Sequence, residues 1–515
     1  MERDGRKMLF IGLDVGTTGC KAAVYNETGI CVGKSYREFN VIHPQSGWSE
    51  QNPETVWDSV LAVLSKAVNL AKNNGAKSED FVAICTSVLG EEVMPVDKEF
   101  NPLRNSILGM DYRADRETDY LCEKLGKRWI YDTTGFPPHP MGSLPTIMWI
   151  RKNQPEISEN TYKYVTFTEF IMKRLGADGG AIDYPQAGRT MAFDIEKKEW
   201  SEKLIREAGI TREMLCPAYE PGEIIGHLSP DMADFLGLTE KVNLVAGGQD
   251  QTCAALGAGL IDSSIAMDSH GTIEGLGVVT DHKYTGDKAF DASISCYIYT
   301  IHGKYFLMSA SQVGGLLLKW YKNNFSLAEI QEAEKKGKDV YDVMSEHAPS
   351  GPAREMVLPH FIGSGPPWND LDSRGAMVGL SIDTTRHDLV KAIMDSLTYE
   401  FRINMEYYEK LGFDFKEIRV VGGVSKSPFW MQIKADILNR DVVNVAEKDS
   451  ACLGAAMIAM KAEGVYKTVE DAVRACVKVD QVYHPNQKLV DAYDKTYRKY
   501  TKLYESLKEF NKIQV

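Results

Sequence analysis

The feature that most constrains this chain is a strand–turn–strand unit that opens each of its halves. Residues 14–26, DVGTTGCKAAVYN, lie over residues 269–281, SHGTIEGLGVVTD, with Gly16-Thr17 falling on Gly271-Thr272. A unit repeated half a chain later predicts two related domains rather than one large core. Over 515 residues this places a boundary near 250, giving domains 1–250 and 251–515. No Pro- or Ser-rich linker separates them.

The pattern within each half alternates strands and helices, which is the signature of α/β layering. In the first half, strands are expected over 8–15, 21–25, 30–39 and 80–86, with a helix over 53–73. A strand over 242–246 is expected to enter a Gly247-Gly248 turn and then a small-residue helix over 251–256. In the second half, the spacing predicts helices over 386–410 and 451–462. Ser427 followed by Pro428 is a strong helix start, since Ser caps the free amides and Pro tolerates the first position. The Tyr- and Leu-rich last 25 residues are expected to form one helix docked on the body.

Composition excludes several functions. Lys and Arg number 59 against 72 Asp and Glu, a net charge of −13, which argues against binding nucleic acid through phosphate neutralisation. No run approaches the length of an apolar membrane span, and the opening MERDGRKMLFIGLDVG lacks signal-peptide form. The nine cysteines are scattered without C-x-x-C spacing, and the histidines without H-E-x-x-H. A reduced, cytoplasmic protein with neither disulfide framework nor zinc site is expected.

Glycine-rich turns carry the chemistry that remains. Turns at 16–19, 247–248 and 422–423 each follow a strand, and Gly271-Thr272 closes the second hairpin. Their amides can face phosphate oxygens, and Thr hydroxyls add donors; hairpin geometry alone also asks for such glycines. Two other phosphate motifs fail. The run Gly29–Ser35 is one residue short of a Walker A loop and lies in a strand, and no G-x-G-x-x-G occurs. Without G-x-S-x-G, a hydrolase nucleophile elbow is also absent. Asp14, directly before the Gly-Thr-Thr turn, suits a Mg²⁺ carboxylate, or simply starts the turn. Asp250, between a strand end and a helix start, suits a base in phosphoryl transfer, or a plain N-cap.

Together these segments resemble the FGGY family of carbohydrate kinases, in the actin-like ATPase superfamily. The resemblance rests on FIGLDVGTTGCKAAVYNETG, VAGGQDQTCAALGAG, GAMVGLSIDTTRHDLVKAIMD, VVGGVSKSPFWMQIKADILNRDV and SACLGAAMIA. It implies an α/β fold of two actin-like (ribonuclease H-like) ATPase domains with an interdomain cleft, sugar on the N-terminal side and nucleotide on the C-terminal side. It implies ATP and Mg²⁺ as cofactors, Asp14 as the metal-site carboxylate and Asp250 as the catalytic base. Thr17, Thr18, Gly19, Lys21, Thr272, Gly315, Lys319, Gly423 and Ser427 fall at nucleotide positions. Glu91, Glu92, Asp111, Arg113, Asp250 and Gln251 are the expected substrate contacts.

The chain also departs from the family. Thr146 stands at a position the family gives to Lys. Leu89-Gly90-Glu91-Glu92 replaces the Gln-Met-His-Gly of xylulokinases and keeps only the Glu of the glycerol kinases' Arg-Glu. The expected partner is therefore a small sugar or polyol of unassigned type, such as a pentulose, pentose or tetritol, with no nucleic acid and no membrane. A homodimer is left open. An ATP-driven conformational switch, a pseudokinase and a kinase of a signalling hydroxyl compound remain alternatives.

Overall fold

The computed structural model describes residues 7–513; the opening residues 1–6 and the last two lie outside the described residues. Two sheets carry the fold, and they share one plan. In the first, the strands run Ile224–His227, Asn243–Gln249, Phe81–Val88, Leu9–Val15, Gly19–Asn26, Cys31–Glu38. In the second they run Val479–Tyr483, Asp441–Val445, Glu417–Gly422, Ile265–His270, Glu274–Thr280, Tyr305–Ser311, with Ser295–Ile298 added at the edge. Each hairpin's first strand pairs antiparallel with its second strand and parallel with a later one.

The expected repeat is visible strand for strand. The first hairpin breaks between Val15 and Gly19, the second between His270 and Glu274, and these are the positions that the sequence overlay matches. The helix starts read from Pro also hold. Pro53–Asn73 is capped by Asn52, and Pro428–Leu438 by Ser427, whose hydroxyl accepts from Trp430 N at 3.4 Å. Arg386–Lys410 follows the expected bounds, started by a Thr385/Asp388 capping box.

Two expectations need correction. Gly247-Gly248 is not a turn: the strand runs on to Gln249, with an irregular register between Val245 and Gly248. Glycine is required there because a Cβ on Gly247 would collide with the Thr86 carbonyl, and one on Gly248 would crowd Thr300. The C-terminal segment is two helices, Gln487–Tyr500 and Leu503–Asn511, not one. The first docks through Tyr493, Tyr497 and Tyr500, all buried; Tyr500 donates to Glu400 at 2.6 Å.

Two small-residue helices, Asp250–Gly257 and Ser450–Ala462, meet backbone to backbone. A Cβ on Gly257 would strike the Ser450 carbonyl, and one on Gly454 the Cys253 carbonyl. The second helix also lies on the first sheet, where a Cβ on Gly12 would strike the Cys452 carbonyl. This explains the composition SACLGAAMIA: only small residues let the backbones approach. Because a rigid backbone cannot yield as a side chain tip does, Gly257→Val is expected to destabilise by about 3 kcal/mol or more. Thermal denaturation checks this, and an unchanged Tm would refute the close-approach account. Among the described residues no helix is long and apolar enough to cross a membrane.

Candidate active site

Three parallel strands of the first sheet end side by side, and open α/β sheets bind ligands beyond such carboxyl ends. Leu9–Val15 delivers Asp14, Phe81–Val88 delivers Ser87 and then Glu91, and Asn243–Gln249 delivers Asp250. Asp14 is in register with Ser87, which donates to Asp14 Oδ1 at 3.0 Å. Gln249 is in register with Val88.

Asp250 is not the N-cap of its helix. Gln249 fills that role, its Oε1 accepting from Gln251 N at 3.0 Å and Thr252 N at 3.4 Å. Its Nε2 turns back to donate to Asp250 Oδ1. The side-chain cap thus comes from the residue before, and Asp250 stands, half-buried, at the first helical position. Burial pushes its carboxyl up to about 7; Asp14 and Glu91 push the same way, while Gln251 N and Arg189 oppose. A base near 7 is matched to neutral-pH proton transfer. If Asp250 must be ionised to act, kcat/KM should rise with pH through about 7 and level off above it. A profile flat from pH 5.5 to 8 would exclude this role.

Asp14 has its carboxyl raised by burial, against the pull of Lys21 and Ser87. Asp14 and Asp250 are both raised by burial, and Asp14 raises Asp250 further, a charge pairing that a divalent cation would relieve. Carboxylate oxygens of this kind are the donors Mg²⁺ takes, and Asp14 would be the group to hold it.

The positions expected to meet the nucleotide gather at the turns. Gly16 N donates to Gly19 O at 2.9 Å, which closes the turn bearing Thr17 and Thr18. Thr272 and Gly315 are brought together, since Gly314 N and Leu316 N donate to Thr272 O at 2.9 and 3.2 Å, and Gly315 N to Gly271 O at 2.9 Å. Lys319 lies one turn further along the same helix, exposed. Gly423 opens the short turn after Glu417–Gly422, and Gly422 is in register with His270. The demand for φ > 0 falls on Gly422, at φ 95. At Gly271 and Gly423 a Cβ would meet only open space, so these glycines leave room that a nucleotide can fill. Lys21 is held at 3.0 Å by Asp449 rather than open to the turn, and Lys34 holds the other oxygen of Asp449 at 3.0 Å.

The substrate side is rearranged relative to expectation. Glu91 faces the site; its carboxylate is held by Arg189, and Ser143 Oγ donates to its backbone carbonyl at 3.0 Å. Gln251 begins the same helix turn as Asp250, and its Oε1 is buried without a protein donor. Glu92, Asp111 and Arg113 are not brought to open space. Glu92 is fully buried and accepts from Phe167 N at 2.7 Å, holding the start of helix Phe167–Leu175. Asp111 accepts from Arg113 Nε at 2.8 Å and from Ser49 N at 2.7 Å. Arg113 also donates to Glu50 at 2.9 Å and stacks 3.5 Å from the Trp48 ring. Asp111 and Arg113 spend their hydrogen bonds inside the wall, while Glu92 keeps Oε2 buried without a partner, so the structure holds none of the three as an open sugar contact.

Sequence reasoning passed over three groups. Gln249 orients Asp250. Arg189, from helix Tyr184–Arg189, pairs with Glu91. His139 accepts from Met141 N at 3.2 Å, and burial and Arg189 lower it to about 4, so it is neutral. A fourth group underlies the second turn: Asp268, His270 and Glu274 converge. Their spacing matches no metal motif, and Lys434 Nζ sits between the carboxylates, 2.6 Å from Asp268 and 2.5 Å from Glu274. An ammonium already holds the cation's place.

A fold of two duplicated α/β domains, with carboxylates at one set of strand ends and Gly-Thr turns at both, defines a phosphotransferase of the actin-like class. The chain belongs to the FGGY family of carbohydrate kinases: the family's N-terminal domain model matches residues 9–257 and its C-terminal domain model residues 266–463. It is thus an ATP-dependent carbohydrate kinase, and ATP with Mg²⁺ is the family's usual cofactor. It is 26% identical over 503 residues to the xylulose kinase of Bacillus subtilis, covering 97% of each chain. It is 28% identical over 460 residues to the gluconokinase of the same organism, covering 88% of this chain and 87% of that one. The crystal structure of gluconate kinase from Lactobacillus acidophilus superposes with a TM-score of 0.86 at 24% identity, covering 97% and 98%.

Proposed function

We propose that this kinase phosphorylates a hydroxyl of a small sugar or polyol of the pentulose, pentose or tetritol type, with Asp250 as the base. The observation that carries the reading is Asp250 itself: a half-buried carboxylate at a helix start, aligned by Gln249 and raised to about 7. Glu91 and the buried acceptor of Gln251 supply oxygens suited to hydroxyl donors. Bound ATP with Mg²⁺ supplies the phosphoryl group. Thr17, Thr18 and Gly19 from one turn and Thr272, Gly315 and Gly423 from the other would line the phosphate and nucleoside path, with Ser427 beside them. Lys21 would reach the phosphates by leaving Asp449, and Lys319 would approach from its exposed helix face. Catalysis on this plan is positioning and electrostatics, with no covalent enzyme intermediate.

The test is a coupled ADP-release assay over pentoses, pentuloses, tetritols, glycerol and gluconate. Acceleration of ADP release by one group of these compounds over the no-sugar rate is the expected result. ATP turnover that no hydroxyl compound accelerates would return the chain to the conformational-switch reading.

A further inference from the structure

Among the described residues, Arg189 is the strongly charged group at the site to which the reaction assigns no task. It ends helix Tyr184–Arg189 and is 5% exposed. Its guanidinium carbon lies 4.3 Å from the Phe136 ring and 4.2 Å from the Tyr297 ring. One ring comes from each half of the chain, so the cation is clamped at the junction beside Asp250. Its Nε and Nη2 both meet Glu91 Oε1. Its Nη1 is buried with no acceptor from the protein.

A guanidinium carries its donors in a rigid fork, and a buried donor left unmade is costly. The chain also bends to hold this arrangement. Glu91 sits at φ 75, a left-handed conformation that a non-glycine residue adopts at a cost and that clusters at functional sites. Gly109 opposite keeps the space open, since a Cβ there would come to 3.0 Å from Glu91 Cβ. Two of the fork's groups are thus spent on Glu91 and the third faces a missing partner.

The charge around Arg189 decides which partner. Asp14, Glu91 and Asp250 lie on this side of the site, and Glu91 already balances the guanidinium. A substrate carboxylate would add a fourth negative group to this set, beside Asp14 and Asp250, whose burial already disfavours ionisation. A carbonyl or hydroxyl oxygen accepts the same N–H without that penalty. Resting on the kinase reading above, we infer that Arg189 is the specificity-determining residue: its Nη1 donates to a neutral oxygen of the substrate while Glu91 accepts a neighbouring hydroxyl, so the substrate is an uncharged polyhydroxy compound and not an aldonate.

The experiment compares wild type, Arg189→Gln and Arg189→Lys in the ADP-release assay with neutral polyols and ketoses against gluconate. Thermal denaturation reports whether each variant is folded. The wild type should turn over a neutral compound with higher kcat/KM than gluconate. Arg189→Gln should raise KM for that compound about 10- to 100-fold, as loss of a charge-assisted hydrogen bond does, with KM for ATP unchanged. The acid limb of its pH profile should also move to higher pH, because a positive neighbour of Asp250 has gone. Arg189→Lys keeps the charge and should restore the acid limb while recovering only part of the KM; it carries the test if the Gln variant fails to fold. Preference for gluconate, or an unmoved sugar KM in a folded variant, overturns the role of Arg189 and leaves the kinase reading standing. No acceleration by any compound removes the kinase reading, and this inference with it.

Discussion

Asp250→Asn should lower kcat by about 10²–10⁴-fold, the range a positioned general base contributes, while leaving ATP affinity close to that of the wild type. The turns at Thr272 and Gly423, proposed above to meet the nucleotide, adjoin strands of the other sheet and do not depend on this carboxylate. The same substitution should stabilise the fold at alkaline pH. The folded carboxyl titrates near 7, against 3.8 as its ordinary value. Between those values the folded chain holds a proton that the unfolded chain has released, so stability falls as pH rises through that window. Asn carries no charge and escapes this loss. At pH 8 its Tm should therefore be at or above that of the wild type, although turnover has collapsed. Steady-state kinetics, nucleotide titration and thermal denaturation at pH 5.5 and 8 check the three parts. Full sugar-dependent turnover in this variant would remove Asp250 from the mechanism.

That prediction rests on residues legible in the sequence, and the reason is local. Strand ends at Val15 and His270, and helix starts at Pro53 and Pro428, are set by turn and cap chemistry within a few residues, so they follow from the chain directly. Gly247-Gly248 shows where local reading stops. A glycine that permits a turn and one that permits close backbone approach look alike in sequence, and only Thr86 and Thr300 reveal which is meant. The same holds for the polar groups. Glu91 was legible as a candidate, but Arg189 pairs with it across 98 positions, and no spacing rule reaches that far. Asp111 and Arg113 were legible as charged neighbours, whereas their closure on Ser49, Glu50 and Trp48 belongs to tertiary packing.

Lys434 is the clearest case of a long-range partner, and removing it should have the largest effect on stability. It is fully buried on helix Pro428–Leu438, and it meets Glu274 across 160 positions. Asp268 and Glu274 flank the Gly271-Thr272 turn, and His270 between them bonds Glu274 at 2.8 Å and stands 4.8 Å from the Trp430 ring. Burial alone would raise both carboxyls. Lys434 and His270 oppose it and hold Glu274 low, while burial prevails at Asp268. Lys434→Met keeps the stem's apolar packing but leaves two carboxylates without their ammonium. Breaking a buried pair in this way costs about 3–5 kcal/mol. With the cation gone, the Asp268 carboxyl rises further above its ordinary value, and Glu274 loses part of what holds it low. The defect should then be largest at neutral pH and shrink as pH falls toward about 4, where the unfolded chain's carboxyls also protonate. Adding Asp268→Asn and Glu274→Gln to Lys434→Met should recover much of the loss, because no buried charge then lacks a partner. ATP affinity should track the single variant's defect, since the Thr272 turn stands on these strands, whereas a sugar site on the other sheet should be affected less. Denaturant unfolding across pH, with nucleotide titration at one pH, measures both. A Lys434→Met defect that is small, or that grows on acidification, would mean that the cluster does not hold the turn by charge.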